Sequence, residues 1–98
     1  MKIKEELIPE ISIEEFANQY NLTMVIGERT VSKDASNRYY AHFENAEIKE
    51  SHLLSFSYGN GRTKEEAIKD YSRQISLKLI VLDAYKDTRK EIQVPRLK

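Results

Sequence analysis

The segment from Gly59 to Tyr71, with the sequence GNGRTKEEAIKDY, constrains the fold more than any other part of this chain. Thr63 and Glu66 form a T-x-x-E capping box, in which each side chain accepts a hydrogen bond from the other residue's backbone N–H. Gly59 and Gly61 precede the box and can adopt positive φ angles, which favours a tight turn. The segment therefore predicts the end of a strand, a turn and the start of a helix.

A second capping box, from Ser12 to Glu15, predicts another helix near the N-terminus. The apolar residues that follow recur at helical spacing and form one face of a helix over about residues 13–20. They are Ile13, Phe16, Ala17 and Tyr20. Asn21 tolerates a left-handed conformation, so we expect the helix to end there.

The middle of the chain alternates between apolar and polar residues, a pattern typical of strands. It runs through residues 22–31, 38–44 and 52–58, and the short connections predict an antiparallel meander with one buried face. Residues 45–51 either extend the second strand or form a turn. We expect the two helices to cover the buried face. The residues predicted there are Tyr39, Ala41, Phe43, Leu54 and Phe56.

The chain after the second helix leaves two structures open. Residues 77–82 are almost continuously apolar, which fits either a longer helix or a buried strand. The β-branched pair Ile80 and Val81 favours a strand, and residues 90–94 alternate and could pair back as a hairpin. The prediction is an α+β domain of two layers, an antiparallel sheet covered by helices, in the order α-β-β-β-α-β-β.

The composition limits the class of protein. A chain of 98 residues is enough for one domain, and we expect a flexible leader at residues 1–10 and a single domain at 11–98. No apolar run approaches the length of about 18 residues that a membrane span needs. The chain has no cysteine and no recognisable secretory signal, so a cytoplasmic location is expected.

No spacing of reactive residues indicates an enzyme. The two histidines, His42 and His52, have no neighbouring motif that marks a metal site or a nucleophile. We therefore expect no catalytic activity, no metal and no cofactor.

The first candidate binding site is the predicted solvent-exposed face of the strand over residues 38–44. Tyr40 alternates onto this face beside a histidine and an arginine, and such a ring suits a protein interface. The strand at 90–94 adds an edge for pairing. The candidate partner-binding residues are Arg38, Tyr40, His42, Ile92 and Val94. They predict a small non-catalytic binding protein whose partner is another protein or a second copy of the chain, as in a homodimer.

A basic region on the second helix is the alternative site. Residues 59–98 carry 10 Lys and Arg against 6 Asp and Glu, whereas residues 1–58 carry 6 and 10. Cations along a helix can contact phosphates, so duplex RNA or DNA is the alternative ligand. The candidate nucleic-acid-binding residues are Arg62, Lys64, Lys69 and Arg73.

The pattern G-x-G-x-T-K-x-x-A at residues 59–67, after an α-β-β-β order, resembles the end of a double-stranded-RNA-binding domain. That resemblance implies that lysines at the helix start contact RNA phosphates. Lys64 occupies one such position, and Glu65 and Ile68 occupy the other two.

Residues 39–43 together with residues 61–67 are similar to the core of HicB-type antitoxins. That similarity implies a toxin as the protein partner. Over residues 38–97 the chain also resembles small proteins carried by phages and other bacterial mobile elements, which implies a location in the bacterial host cytoplasm.

Overall fold

The computed structural model describes residues 1–5, 10–30 and 35–98. It contains two α-helices, α1 (Ile13–Tyr20) and α2 (Lys64–Ile75), and a short 3-10 helix at Ala35–Asn37. The strands are β1 (Met24–Glu28), β2 (Tyr39–Phe43), β3 (Ala46–Glu50), β4 (Leu53–Ser55), β5 (Gly59–Gly61), β6 (Leu79–Leu82) and β7 (Lys90–Gln93). The predicted α+β class and order of elements are confirmed. The second half of the predicted leader, residues 6–9, and the predicted end of the first strand, Val31, lie outside the described residues.

The strands form two antiparallel sheets, one with the order β1-β2-β5 and one with the order β4-β3-β6-β7. Strands β2 and β3 follow each other in the chain and are separated only by Glu44 and Asn45. Asn45 has a φ angle of 58°, a left-handed conformation that asparagine tolerates better than most residues. The predicted antiparallel pairing of the first two strands is present in β1 and β2. The residues after them do not continue one meander: residues 46–50 form the separate strand β3, and the predicted third strand is reduced to β4, which pairs with β3 in the other sheet.

The C-terminal segment forms a hairpin and does not extend α2. Leu77 has a φ angle of 65°, which is incompatible with a continuing right-handed helix. Strand β6 then pairs with β7 in an antiparallel register that places Ile80 opposite Ile92. The β-branched side chains favoured this outcome because they pack well on a pleated surface.

The core lies between the two helices and the inner faces of the two sheets. Its centre is aromatic: the ring centroids of Phe16 and Phe43 are 6.1 Å apart, and those of Phe43 and Tyr71 are 5.5 Å apart. The hairpin completes it with Ile92, which is 4% exposed, and Val94, which is 0% exposed. The side chains of Ile92 and Val94 are therefore not available on the surface, in contrast to their prediction as partner-binding residues.

The serine and threonine of the two capping boxes accept the predicted hydrogen bonds, but the two glutamates accept from other groups, Glu15 from the Ser12 Oγ at 3.4 Å. The Oγ of Ser12 accepts a hydrogen bond from the Glu15 N–H at 3.1 Å, and Asn21 ends α1 in the left-handed region. The Oγ1 of Thr63 accepts from the Glu66 N–H at 3.1 Å. The carboxylate of Glu66, however, accepts from the Arg62 N–H at 2.9 Å and not from the N–H of Thr63.

The glycines before α2 serve close packing and not a turn. Gly59 and Gly61 lie in strand β5, and neither has a positive φ angle, so the predicted turn conformation is wrong. A Cβ atom at Gly59 would lie 2.8 Å from the Cα of Tyr71, and one at Gly61 would lie 2.7 Å from the carbonyl carbon of Glu66. Such distances are too short for real atoms, so α2 rests directly on the backbone of β5.

Candidate binding surface on the open sheet face

The close approach of α2 decides which side chains of the 53–61 segment reach the surface. Ser57 faces the helix, where its Oγ donates to the Gln74 side-chain oxygen. The Nε2 of Gln74 in turn donates to the Tyr58 carbonyl oxygen at 3.1 Å. Phe56 and Tyr58 consequently point away from α2 and are 55% and 41% exposed. The prediction that the helices cover Phe56 is therefore wrong.

Leu54, which belongs to the same segment, lies outside the hydrophobic core. Leu54 is half-buried and lies opposite Lys49 in the pairing of β4 with β3. Facing residues of an antiparallel pair share one side of the sheet. Leu54 therefore lies on the side that carries Lys49, and its prediction as a residue beneath the helices is wrong as well.

Four rings gather on the open side of the three-stranded sheet, and we call them the aromatic face: Tyr40, His42, Phe56 and Tyr58. Tyr40 and His42 stack with their planes 7° apart and their centroids separated by 6.2 Å. Phe56 lies edge-on to His42 at 4.9 Å and 5.7 Å from Tyr58. The ring centroids of Tyr58 and Tyr40 are 6.1 Å apart. The rings thus form a closed cluster, with the offset and edge-to-face geometries that aromatic pairs prefer.

Strand β1 supplies the floor of the aromatic face. Gly27 lies opposite Tyr40 in the sheet, and a Cβ atom at Gly27 would overlap with the Tyr40 ring. The absence of a side chain therefore lets this ring lie across the neighbouring strand. The role of Gly27 is therefore to admit an aromatic neighbour.

Arg29 joins the aromatic face and was not among the candidate residues. Its guanidinium carbon lies 5.0 Å from the centroid of Tyr40 and 5.3 Å from that of Tyr58, within the range of a cation–π interaction. Its Nη1 donates to the Asn37 carbonyl oxygen at 2.6 Å. Strand alternation contained the signal, because Arg29 follows Gly27 by two residues and shares its side of the sheet.

Arg38 is placed differently from the prediction that grouped it with Tyr40 and His42. Its guanidinium donates twice to Glu28, at 2.9 and 2.7 Å, and lies 5.9 Å from the ring of Tyr39. The hydrogen bond that Arg38 donates to Glu28, and then its hydrogen bond with Tyr39, raises the pKa of Arg38 above its ordinary value. Arg38 is thus held by Glu28 beside Tyr39, while Tyr40 and His42 lie in the ring cluster.

Two depressions adjoin on this surface and share His42 and Phe56 as lining residues. The smaller, of about 250 Å³, lies over the aromatic face and includes Arg29. The larger, of about 370 Å³, continues past Phe56 to the loop after β6. Its charged and aromatic lining residues, besides the shared pair, are Glu44, Glu47, Asp83, Tyr85 and Lys86. The surface therefore changes from a ring cluster to an acidic groove along its length.

The four candidate nucleic-acid-binding residues lie in the helical layer, away from the aromatic face. All four are exposed along or just before α2: Arg62, Lys64, Lys69 and Arg73. Arg73 donates to Asp70 at 3.3 Å. Carboxylates of Glu65 and Glu66 alternate with the cations in the first turn of the helix, so the positive charge of this surface is partly compensated.

A separate ion-pair network lies on the outer side of the four-stranded sheet. Glu91 accepts from the Lys49 ammonium at 2.8 Å and lies 3.2 Å from the Arg89 guanidinium. The hydrogen bond from Lys49, followed by that from Arg89, lowers the pKa of Glu91 below its usual value. These charges face solvent, where such pairs contribute little to stability.

Within residues 1–5, 10–30 and 35–98, no group of three or more His, Cys, Asp or Glu side chains is arranged to hold a metal ion. No helix in those same ranges is long and apolar enough to cross a membrane. No protein-family model, curated protein or solved structure matches this chain.

Proposed function

We propose that this chain is a small non-catalytic binding protein that contacts a protein partner, or a second copy of itself, through the aromatic face. The observation that supports this proposal is the exposure of Phe56 and Tyr58 in a packed ring cluster outside the core. Aromatic residues are enriched at protein interfaces because a ring buries a large area at a low cost in conformational entropy.

The chemistry of the lining supports binding over catalysis. The smaller depression is lined by rings and by the Arg29 guanidinium, which Asn37 already holds through a hydrogen bond. Such groups stack on flat or apolar ligand groups, and they remain in place because neighbouring rings support them. An antitoxin-like role would be one form of this proposal, with a toxin as the partner.

Site-specific photo-crosslinking tests the proposal. We would place a benzophenone side chain at Phe56 or Tyr58, and at Arg73 on the exposed side of α2 as the control position. We expect discrete adducts from positions 56 and 58 in cells that express the gene naturally, and none from position 73. Mass spectrometry distinguishes an adduct of two identical chains from one with another protein. Equal labelling at all three positions, or no adduct at 56 and 58, would contradict the proposal.

Nucleic-acid binding through α2 is the second candidate function. The observation in its favour is that the cations Arg62, just before α2, and Lys64 and Lys69, on α2, are exposed and make no ion pair with the described residues. We expect binding to duplex RNA or DNA at low salt that weakens steeply as salt increases. Replacing the three cations by glutamine should abolish it, whereas replacing Phe56 should not. Absence of binding at about 50 mM salt would exclude this function.

A further inference from the structure

We propose that the acidic groove beside the aromatic face accepts an arginine side chain of the partner. We define the acidic groove by Glu44, Glu47, Asp83, Phe56 and Tyr85, which line the larger depression. This inference rests on the proposed function, and it specifies the chemistry that the partner presents.

The charge of the groove selects a cation. Three carboxylates line it against a single ammonium group, that of Lys86, together with His42. One carboxylate oxygen of Asp83 accepts from the Thr88 hydroxyl at 2.9 Å, an interaction that leaves the negative charge of Asp83 in place. A phosphate or another anion would be repelled here, so a nucleic acid is a poor occupant of this groove.

Main-chain hydrogen bonds fix the backbone positions of Glu44 and Asp83. Glu44 donates its N–H to the Thr23 carbonyl oxygen at 2.9 Å, and Asp83 donates its N–H to the Asn45 carbonyl oxygen at 3.0 Å. The Lys86 N–H donates to the Asp83 carbonyl oxygen at 3.0 Å. Two walls of the groove, the β2–β3 junction and the loop after β6, are therefore joined by the main-chain hydrogen bond between Asp83 and Asn45.

The aromatic walls favour arginine over lysine. Phe56 is 55% and Tyr85 is 86% exposed, and a planar guanidinium stacks on ring faces while it pairs with carboxylates. An ammonium group is a compact charge and does neither as well. The molecule itself shows the stacking part of this chemistry on the adjoining aromatic face, where the Arg29 guanidinium lies against Tyr40 and Tyr58.

The test is an NMR titration of the full chain with N-acetyl-arginine amide and with N-acetyl-citrulline amide. Citrulline has nearly the same shape as arginine and no charge, so it isolates the electrostatic part of recognition. We expect arginine to shift the amide signals of the acidic groove with a dissociation constant on the order of 1 mM. We expect citrulline to bind at least about tenfold more weakly, a difference of about 1.4 kcal/mol. Equal binding of both probes, shifts confined to other surfaces, or no shifts would overturn the inference.

Two variants test whether the arginine binds at the acidic groove. Glu44→Gln with Glu47→Gln preserves the size of both side chains and removes two charges, and we expect about tenfold weaker arginine binding. Glu65→Gln on α2 removes an exposed charge away from the groove and should leave the binding unchanged. If photo-crosslinking at Phe56 succeeds while arginine does not bind, the aromatic face is an interface and only the arginine assignment is wrong. If crosslinking fails while arginine binds the groove, the proposed function is the part that is wrong.

Discussion

A Cβ atom at Gly59 would lie 2.8 Å from the Cα of Tyr71, so helix α2 and strand β5 touch backbone to backbone. This contact leaves no room for side chains on the helical side of β5. The residues before β5 are affected as well. Ser57 lies on the side that faces α2, where it donates a hydrogen bond to Gln74, so the large residues Phe56 and Tyr58 point outward. The packing that anchors α2 and the exposure of Phe56 and Tyr58 therefore have the same structural origin.

The first prediction compares Gly59, which lies against the backbone of α2, with Gly27, which lies against the Tyr40 side chain. We expect Gly59→Ala to lower the free energy of unfolding by about 1–3 kcal/mol, because the added methyl group meets rigid backbone. The methyl group added by Gly27→Ala meets only the end of the Tyr40 side chain, which can rotate away. We therefore expect a smaller loss of the free energy of unfolding. Urea unfolding measures both variants. A larger loss for Gly27→Ala would show that the α2–β5 contact is looser than described.

The second prediction separates core rings from surface rings. Phe43 is fully buried between Phe16 and Tyr71, so Phe43→Ala should cost about 3–5 kcal/mol. Phe56→Ala removes an exposed ring and should cost less than about 1 kcal/mol. The two substitutions delete the same atoms, so each serves as the control for the other in thermal or urea unfolding. Similar losses would mean that Phe56 belongs to the core.

Local patterns in the sequence were sufficient to predict both helices and the order of elements. Capping chemistry and helical spacing depend on residues close in the chain, so α1, the Thr63 cap and the C-terminal hairpin could be anticipated. The sequence pattern was not sufficient to predict which side chains of residues 54–58 point into the core and which point to solvent. The direction of these side chains depends on how closely α2 packs on β5, a contact between Gly59 and Tyr71 that the alternation of residues along a strand does not encode.

The candidate site was predicted only in part for the same reason. Tyr40 and His42 lie on the side opposite Ala41 and Phe43, as the alternation predicted. Ile92 has the same alternating pattern, yet it is buried because the hairpin packs under α1 and α2. A larger residue flanked by serine and glycine, as in Ser57-Tyr58-Gly59, would have been a usable signal, since small residues mark the tightly packed side.

The third prediction concerns the cap of α2. Thr63→Ala removes the acceptor for the Glu66 N–H and should lower the free energy of unfolding by about 1 kcal/mol. Thr30→Ala removes the same atoms from an exposed threonine that caps no helix, and it should change stability little. Urea unfolding of the two variants provides the comparison. Equal effects would indicate that the cap of α2 contributes nothing beyond the general effect of the substitution.

The fourth prediction is a loss of stability at high pH that depends on Tyr71. Burial raises the pKa of Tyr71 above its ordinary value of 10.0, and a hydrogen bond with the Phe43 backbone opposes the shift only in part. The folded state therefore retains the Tyr71 proton at pH values where the unfolded chain loses it. The contribution is fully present below pH 10.0 and is lost as the pH rises through the folded pKa.

Urea unfolding at a series of pH values around and above 10.0 measures this contribution. In the wild-type chain the free energy of unfolding should fall with rising pH, and in Tyr71→Phe the fall should be smaller. Tyr85→Phe, at a position that is 86% exposed, is the matched control and should keep the wild-type slope because Tyr71 remains. An identical slope in all three proteins would show that Tyr71 titrates alike in the folded and unfolded states, which its burial against Phe43 argues against.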